Sequence, residues 1–237
     1  MTRRRWIADE VFSNRALLIG RHADHLARVL RAQVGQEFDV VANGVVRQAR
    51  VLAVAEDRVE FELGEPIPSA ASADLTLLLA IFKFDRMEWA IEKCTELGVA
   101  KVVPVIARRT DRHLASASVK RVARWRRIAM QAAEQSRRTA IPEIASPLKL
   151  DDALGASADL RIVLAETEID CRLRDLVASH PSRQIVLAIG PEGGWSEDEL
   201  ETFSKQGWIS ASLGPTVLRV ETAAIAAVAI VVSELSR

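Results

Sequence analysis

The chain has 237 residues, 49% of them hydrophobic and 27% charged, enough for one large domain or two modest ones around a buried core. That composition excludes wholesale disorder and a collagen-like or mucin-like chain. The two cysteines, Cys94 and Cys171, form no CxxC pair and no disulfide framework, which fits a reducing, cytoplasmic setting. Arg3-Arg4-Arg5-Trp6 is basic but no apolar run follows it, so a secretory signal is not expected. The longest apolar stretch, Ala223 to Val232, is about half of the roughly 20 residues that a membrane span needs.

Lysine plus arginine and aspartate plus glutamate both number 32, and that balance hides an asymmetry. Arg108 to Arg138 holds ten basic residues against two acidic ones, a net of +8, and residues 1–50 hold nine against five, a net of +4. Segments 51–107 (five against ten) and 139–237 (eight against fifteen) carry −5 and −7. One basic block on a neutral chain points to an anionic binding face, nucleic acid among the candidates, with a solvated charged helix as the alternative.

In chain order, residues 10–63 read as short strands that make a small, mostly β barrel. Glu37 to Val41 alternates apolar and polar, Asn43-Gly44 is a hairpin turn signal, and Val45 to Val54 and Arg58 to Leu63 follow. His22 to Leu30 reads as one short helix. Gly64 to Ala73 is small, Pro-containing and without periodicity, a linker that separates domains at 1–70 and 71–237. Beyond it, apolar strands at Leu75 to Phe82, Lys101 to Ala107, Arg161 to Ala165 and Gln184 to Ile189 alternate with helices, the pattern of a mostly parallel α/β sheet covered on both faces. The first of these helices, Asp85 to Leu97, has Asp85 as its N-cap and Gly98 just past its end. A long helix is expected from about Val119 to Arg137.

Three segments carry chemistry. Ile189-Gly-Pro-Glu-Gly-Gly-Trp-Ser196 is a strand end, a Gly-rich turn and a helix start, with Ser196 and Glu199 as a capping box. It lacks the Lys-Ser/Thr of a phosphate loop, and Glu192 would repel phosphates. It suits a neutral or cationic ligand such as the sulfonium S-adenosylmethionine, or it is a tight turn with no ligand. Next, Ser212 to Ala223 leads through an extended stretch to an apolar helix capped by Thr222. Arg219 and Glu221 precede that helix, where charge needs a partner: they either bind something or form a salt bridge with each other. Last, Lys120, Arg124, Arg127, Gln131, Glu134 and Arg138 share one helical face, while Val122, Trp125, Ala129 and Ala132 fall on another. Like charges at i, i+4 cost a free helix roughly 0.2–0.5 kcal/mol per pair, a repulsion that a phosphate backbone relieves. His22 and His25 have HxxH spacing without a third ligand, so no metal is expected, and Cys94 reads as core.

Taken together these stretches resemble the bacterial 16S ribosomal RNA (uridine-N3) methyltransferases, the RsmE-type family of the SPOUT superfamily. The resemblance rests on His25 to Arg31 with Gly35, Lys83 to Gly98, Ala133 to Arg138 with Ile141-Pro-Glu143, Gly190 to Gly194, and Leu213-Gly with Val217 to Ala223, in the family's order and over nearly the whole chain. Thr216 departs from the pattern, which often has arginine there. The resemblance implies a PUA-like RNA-binding barrel over 1–70 and a SPOUT-like α/β domain with a C-terminal trefoil knot over 71–237. It implies a homodimer that takes S-adenosylmethionine, needs no metal, has no membrane partner and methylates 16S rRNA in the 30S subunit. The cofactor residues it implies are Leu164, Ala165, Glu166 and Thr167; Ile189, Gly190, Pro191, Glu192, Gly193 and Gly194; and Ile209, Leu213, Gly214, Val217, Leu218 and Ala223. Arg219 would stabilise the uracilate or help remove its proton, with Glu221 orienting it or acting as base. Arg31, Arg109, Arg124, Arg127, Gln135, Arg137 and Arg138 would contact RNA. A non-catalytic RNA-binding module, a nucleotide enzyme with another cofactor and a ribose 2′-O methyltransferase are the competing readings. A pure binder needs no cofactor pocket, and the Gly190 turn with Leu213 to Ala223 favours the enzyme.

Overall fold

A computed structural model describes residues 5–67, 74–180 and 184–235; Arg3, Arg4 and the linker residues 68–73 lie outside them. The chain divides into two compact units, residues 1–71 with 133–140 and residues 72–132 with 141–237. Segment 133–140, which a boundary at residue 70 assigns to the second domain, groups with the first.

The first unit is a six-stranded sheet. Its strands are β1 (Arg5–Ile7), β2 (Glu10–Phe12), β3 (Arg15–Ile19), β4 (Glu37–Ala42), β5 (Val45–Val54) and β6 (Arg58–Pro66), in the order β1-β4-β5-β6-β3-β2. All neighbours are antiparallel except β1 and β4. Asn43 and Gly44 both take positive φ, 51° and 79°, the backbone that a two-residue hairpin turn between twisted strands requires. Alternation then buries Val40, Ala42, Ala49, Val51, Val59 and Phe61 in one cluster with Trp6 and Leu26. The expected helix from His22 to Leu30 is two pieces: α1 (Arg21–Asp24), followed by a π-helical turn over His25–Val29. β6 runs on to Pro66, so the strand absorbs the first residues of the expected linker.

Seven parallel strands form the second unit's sheet. They are β7 (Asp74–Ala80), β8 (Lys101–Ile106), β9 (Glu143–Ile144), β10 (Leu148–Lys149), β11 (Leu160–Leu164), β12 (Gln184–Ile189) and β13 (Ile209–Ala211). The order is β10-β8-β7-β12-β11-β13, with β9 also on β8. The helices are α2 (Phe84–Leu97), α3 (Arg112–Ser118), α4 (Val122–Gln135), α5 (Leu150–Ala153), α6 (Leu173–Ser179), α7 (Glu197–Lys205) and α8 (Val220–Leu235). Period-two alternation sends Leu75, Leu77 and Leu79 of β7, and Ile185, Leu187 and Ile189 of β12, to the face shared with α2, α6 and α8. Leu78 and Ala80, with Val186 and Ala188, go to the opposite face, against Phe203, Trp208 and Leu150. Both faces are therefore dry, which is why these strands read as continuous apolar runs.

Three helix expectations change. α2 starts on Phe84 after Lys83, so Asp85 lies in its first turn and does not cap it; Gly98 ends it at φ 116°. The long basic helix is α3, a 3₁₀ turn over Val119–Arg121, then α4. α8 begins at Val220, so Thr222 is inside the helix and the Ala223 amide donates to the Arg219 carbonyl at 2.8 Å.

Candidate active site

β11, β12 and β13 are neighbours and parallel, so their C-terminal ends meet at one edge of the sheet, where ligands bind in open α/β folds. The loops leaving them enclose a cavity of about 220 Å³. Leu164, Ala165, Glu166 and Thr167 line it after β11; Ile189, Gly190, Pro191, Gly193, Gly194 and Trp195 line it after β12; Ala211 through Leu218 line it after β13. Leu200 of α7 and Val220 and Ala223 of α8 complete the wall, with Arg109 from the loop after β8.

The Gly-rich turn is shaped by close approach. A Cβ on Gly190 would lie 3.2 Å from both the backbone N and the indole Nε1 of Trp195, and one on Gly193 would lie 3.3 Å from Arg109 Cδ. Gly194 takes φ +69°, which L side chains rarely adopt, and its amide donates to Pro191 O at 2.8 Å. The turn is anchored from both sides. Ser196 caps α7 in a capping box with Glu199, whose Oε2 accepts from Ser196 N at 2.8 Å and whose Oε1 accepts from Arg108 N at 2.7 Å. Arg109 Nη1 donates to Gly193 O at 2.5 Å and to Trp195 O at 3.3 Å. Arg108 also pairs with Asp198.

The residues expected to hold a cofactor are mostly brought together. Glu192 and Ile209 are the exceptions and are not in the cavity wall. Glu192 belongs to the turn, but its carboxylate points to Arg86 of α2, 3.5 Å away. Ile209 is part-buried inside β13, packed against the core. Arg109, expected on RNA, lies in the cavity wall. The sequence reading missed Trp195, Leu200 and Val220, while Ala211, Ser212, Pro215 and Thr216 fall within the third cofactor segment it expected, Ile209 to Leu218, without being named singly. Most of these sit between residues it did name, and their exposure to the cavity follows from the turn geometry, which sequence alone does not carry.

Arg219 is exposed, lies between the wall residues Leu218 and Val220, and has no ion pair among the described residues. Glu221 is 5% exposed and outside the cavity wall. It does not pair with Arg219: its Oε1 is 3.8 Å from Arg86 Nη1, and its Oε2 has no partner among the described residues. Arg86, which the sequence reading did not single out, thus lies between Glu192 of the turn and Glu221 of α8.

The basic helix keeps its expected faces, with Lys120, Arg124, Arg127 and Gln131 exposed and Val122, Trp125, Ala129 and Ala132 buried. Arg124 Nε is 2.7 Å from Glu88 Oε1. The helix ends at Gln135, which is exposed. Arg137 is exposed at φ 58°, its carbonyl accepting from Arg5 Nη1 at 2.7 Å. Arg138 therefore leaves the helical face and is only 9% exposed, and burial lowers its guanidinium pKa. Arg31 is exposed at φ 51°. His22 pairs with carboxylates, its Nε2 2.6 Å from Glu134 Oε1 and its Nδ1 3.5 Å from Asp9 Oδ2, and no cluster of three or more His, Cys, Asp or Glu side chains that could hold a metal ion occurs among the described residues. Cys94 is fully buried, which pushes its thiol up to about 12, so it is core and not a nucleophile.

The cavity suits S-adenosylmethionine on its own features. Its glycine cradle and largely apolar wall fit a neutral nucleoside, its two charged groups, Arg109 and Glu166, are of opposite sign and suit no polyanion, and the turn lacks the Lys-Ser/Thr of a phosphate loop. Comparison with known proteins agrees. Residues 69–232 match the family model described as an RNA methyltransferase domain. The chain is 33% identical over 210 residues to the ribosomal RNA small subunit methyltransferase E of Synechocystis sp., covering 86% of this chain and 68% of that one. A crystal structure of the Neisseria gonorrhoeae protein of the same name, bound to S-adenosyl methionine, superposes with a TM-score of 0.82 at 30% identity over 96% of each chain. A Legionella pneumophila protein solved with the bound cofactor SAM gives 0.80 at 29% identity, over 98% of this chain and 97% of that one. No described helix is long and apolar enough to cross a membrane. A parallel sheet with a glycine-walled cavity at its strand ends, matched over nearly its whole length by such relatives, makes this chain a member of the ribosomal RNA small subunit methyltransferase E family.

Proposed function

We propose that this chain transfers a methyl group from S-adenosylmethionine to N3 of a uridine in 16S rRNA of the 30S subunit, as a cytoplasmic enzyme. The observation that carries the reading is the cavity at the ends of β11, β12 and β13, in a chain whose relatives are solved with that cofactor. When bound, the cofactor supplies an activated methyl group on a sulfonium, so the protein's work is orientation and charge. The N3 proton must leave before or during transfer, and negative charge then grows on O2 and O4. Arg219 meets that charge, a role supported by its being exposed, unpaired among the described residues and flanked by two wall residues. Glu221, buried beside Arg86, acts by fixing the start of α8 under Arg219. N3 lies on the Watson–Crick edge, so the target uridine must be unpaired or flipped out of a helix.

The reading extends to architecture and partners. Residues 1–70 serve as a PUA-like RNA-binding barrel. The SPOUT-like domain, from residue 71, threads its C-terminal end as a trefoil knot, a topology supported by β13 lying beside β11 with α8 following. Arg31, Arg124, Arg127, Gln135 and Arg137, all exposed, contact RNA. The chain works as a homodimer through α8, whose partly exposed Ile225, Ala226, Ala229 and Ile230 offer small and apolar side chains to a second copy. The test is Arg219→Ala. It should bind S-adenosylhomocysteine as the wild type does and lose methyl transfer; wild-type turnover would refute the assignment.

A further inference from the structure

Only two charged side chains line the cavity among the described residues, Arg109 and Glu166, and they are of opposite sign. They stand beside adjacent glycines of one turn. A Cβ on Gly193 would lie 3.3 Å from Arg109 Cδ, and one on Gly194 would lie 3.6 Å from Glu166 Oε1. The two are not paired with each other, and Glu166 has no ion pair among the described residues. Arg109 donates only to neutral carbonyls, Gly193 O and Trp195 O, which fix its guanidinium without cancelling its charge. Every other lining residue is neutral. Arg109 reaches this place from the end of β8, which is separated from β12 by β7, so a loop outside the three strand ends contributes to the wall.

A ligand that satisfies such a wall carries one anionic and one cationic group at the same end, with a neutral body. We infer that Arg109 and Glu166 bind the amino-acid end of the cofactor, Arg109 taking its carboxylate and Glu166 its ammonium, and that Arg109 is a cofactor-binding residue and not an RNA contact. The inference rests on the cofactor reading proposed above. It explains why an arginine and a glutamate in one small cavity stay apart: each is held for a partner that the chain does not supply. The Arg109 bonds to the turn also make the cofactor site and the glycine backbone one rigid unit.

The test compares S-adenosylhomocysteine with 5′-methylthioadenosine, which shares its adenosine and thioether but lacks the amino-acid end. Both are titrated calorimetrically into wild type, Arg109→Gln and Glu166→Gln. Each variant should weaken S-adenosylhomocysteine by about tenfold or more, the loss expected for a hydrogen bond to a charged group; Glu166→Gln should leave 5′-methylthioadenosine within about twofold, and Arg109→Gln, which also gives up its bonds to the turn, should weaken it several-fold less than S-adenosylhomocysteine. Where the shorter compound binds too weakly for heat, the rise in melting temperature at saturating ligand gives the same comparison. Unchanged S-adenosylhomocysteine affinity in both variants, or equal weakening of both compounds, overturns the inference while the cofactor reading stands. Wild type that binds neither compound overturns the cofactor reading, and this inference with it.

Discussion

Single alanine replacements across the Gly190–Gly194 turn separate backbone demand from side-chain contact. Gly190 has no left-handed requirement, but its new Cβ would sit 3.2 Å from the backbone N of Trp195, an atom that cannot swing away. Overpacking of this kind costs about 1–3 kcal/mol. Alanine also narrows the unfolded ensemble, which returns about 0.4–1 kcal/mol. Gly190→Ala should therefore lose roughly 1–2 kcal/mol, a midpoint lower by roughly 2–8 °C for a chain of this size. Gly194→Ala meets φ +69°, worth about 1–2 kcal/mol against a side chain, and should land between neutral and roughly 1.5 kcal/mol destabilising. Gly193→Ala meets only the flexible Arg109 stem and should be near neutral in stability, yet weaken S-adenosylhomocysteine because it pushes that arginine. Thermal melts and calorimetric titration of the three variants check the order. A Gly190→Ala protein with wild-type midpoint and affinity would refute the account of the turn.

Three further outcomes follow from the same geometry. The hydrogen bond to Glu134, with the nearby charges of Glu134 and Asp9, raises His22 above its usual 6.5 despite partial burial, so the folded state holds that proton more tightly than the unfolded one. The stabilisation is complete below about 6.5 and fades as pH rises through the raised folded value, so the urea-midpoint gap between wild type and His22→Gln should shrink with rising pH; a gap that widens contradicts it. Ser196→Ala removes one side of the capping box and should cost about 1 kcal/mol. Glu199→Ala should cost more, because it leaves the amides of Arg108 and Ser196 without acceptors, and equal losses in urea titrations would count against that bookkeeping. Cys94, at 0% exposure, should not react with a thiol reagent until the protein unfolds, and any native-state labelling should map to the part-exposed Cys171.

The strands of the second sheet were legible because burial on both faces leaves uninterrupted apolar runs, and Val45–Val54 was legible because Asn43-Gly44 fixed its start. The two-residue β9 and β10 and the three-residue β13 are too short for any period to register, and they exist only through pairing with β8 and β11. Arg138 was misplaced on the basic face because a helical wheel has no signal for the left-handed Arg137 that ends the helix register. The contact of His22 with Glu134 joins distant parts of the chain, so spacing could not suggest it, and His22 read only as half of an HxxH pair. The Gly190 turn was legible as a ligand loop, whereas Arg109 read as one more basic residue in a basic block. Its turn toward the cavity depends on where the end of β8 lies relative to β12. Arg86 was hidden in the same way, inside an amphipathic helix with nothing local to mark its two carboxylate neighbours.

The most direct test of the central claim is transfer of a labelled methyl group from S-adenosylmethionine to 30S subunits that lack the modification, followed by nucleoside analysis of the 16S rRNA. The account predicts label in 3-methyluridine, abolished by Arg219→Ala. Label in a ribose 2′-O-methyl nucleoside, or no label from a protein that binds neither S-adenosylmethionine nor S-adenosylhomocysteine, would contradict it.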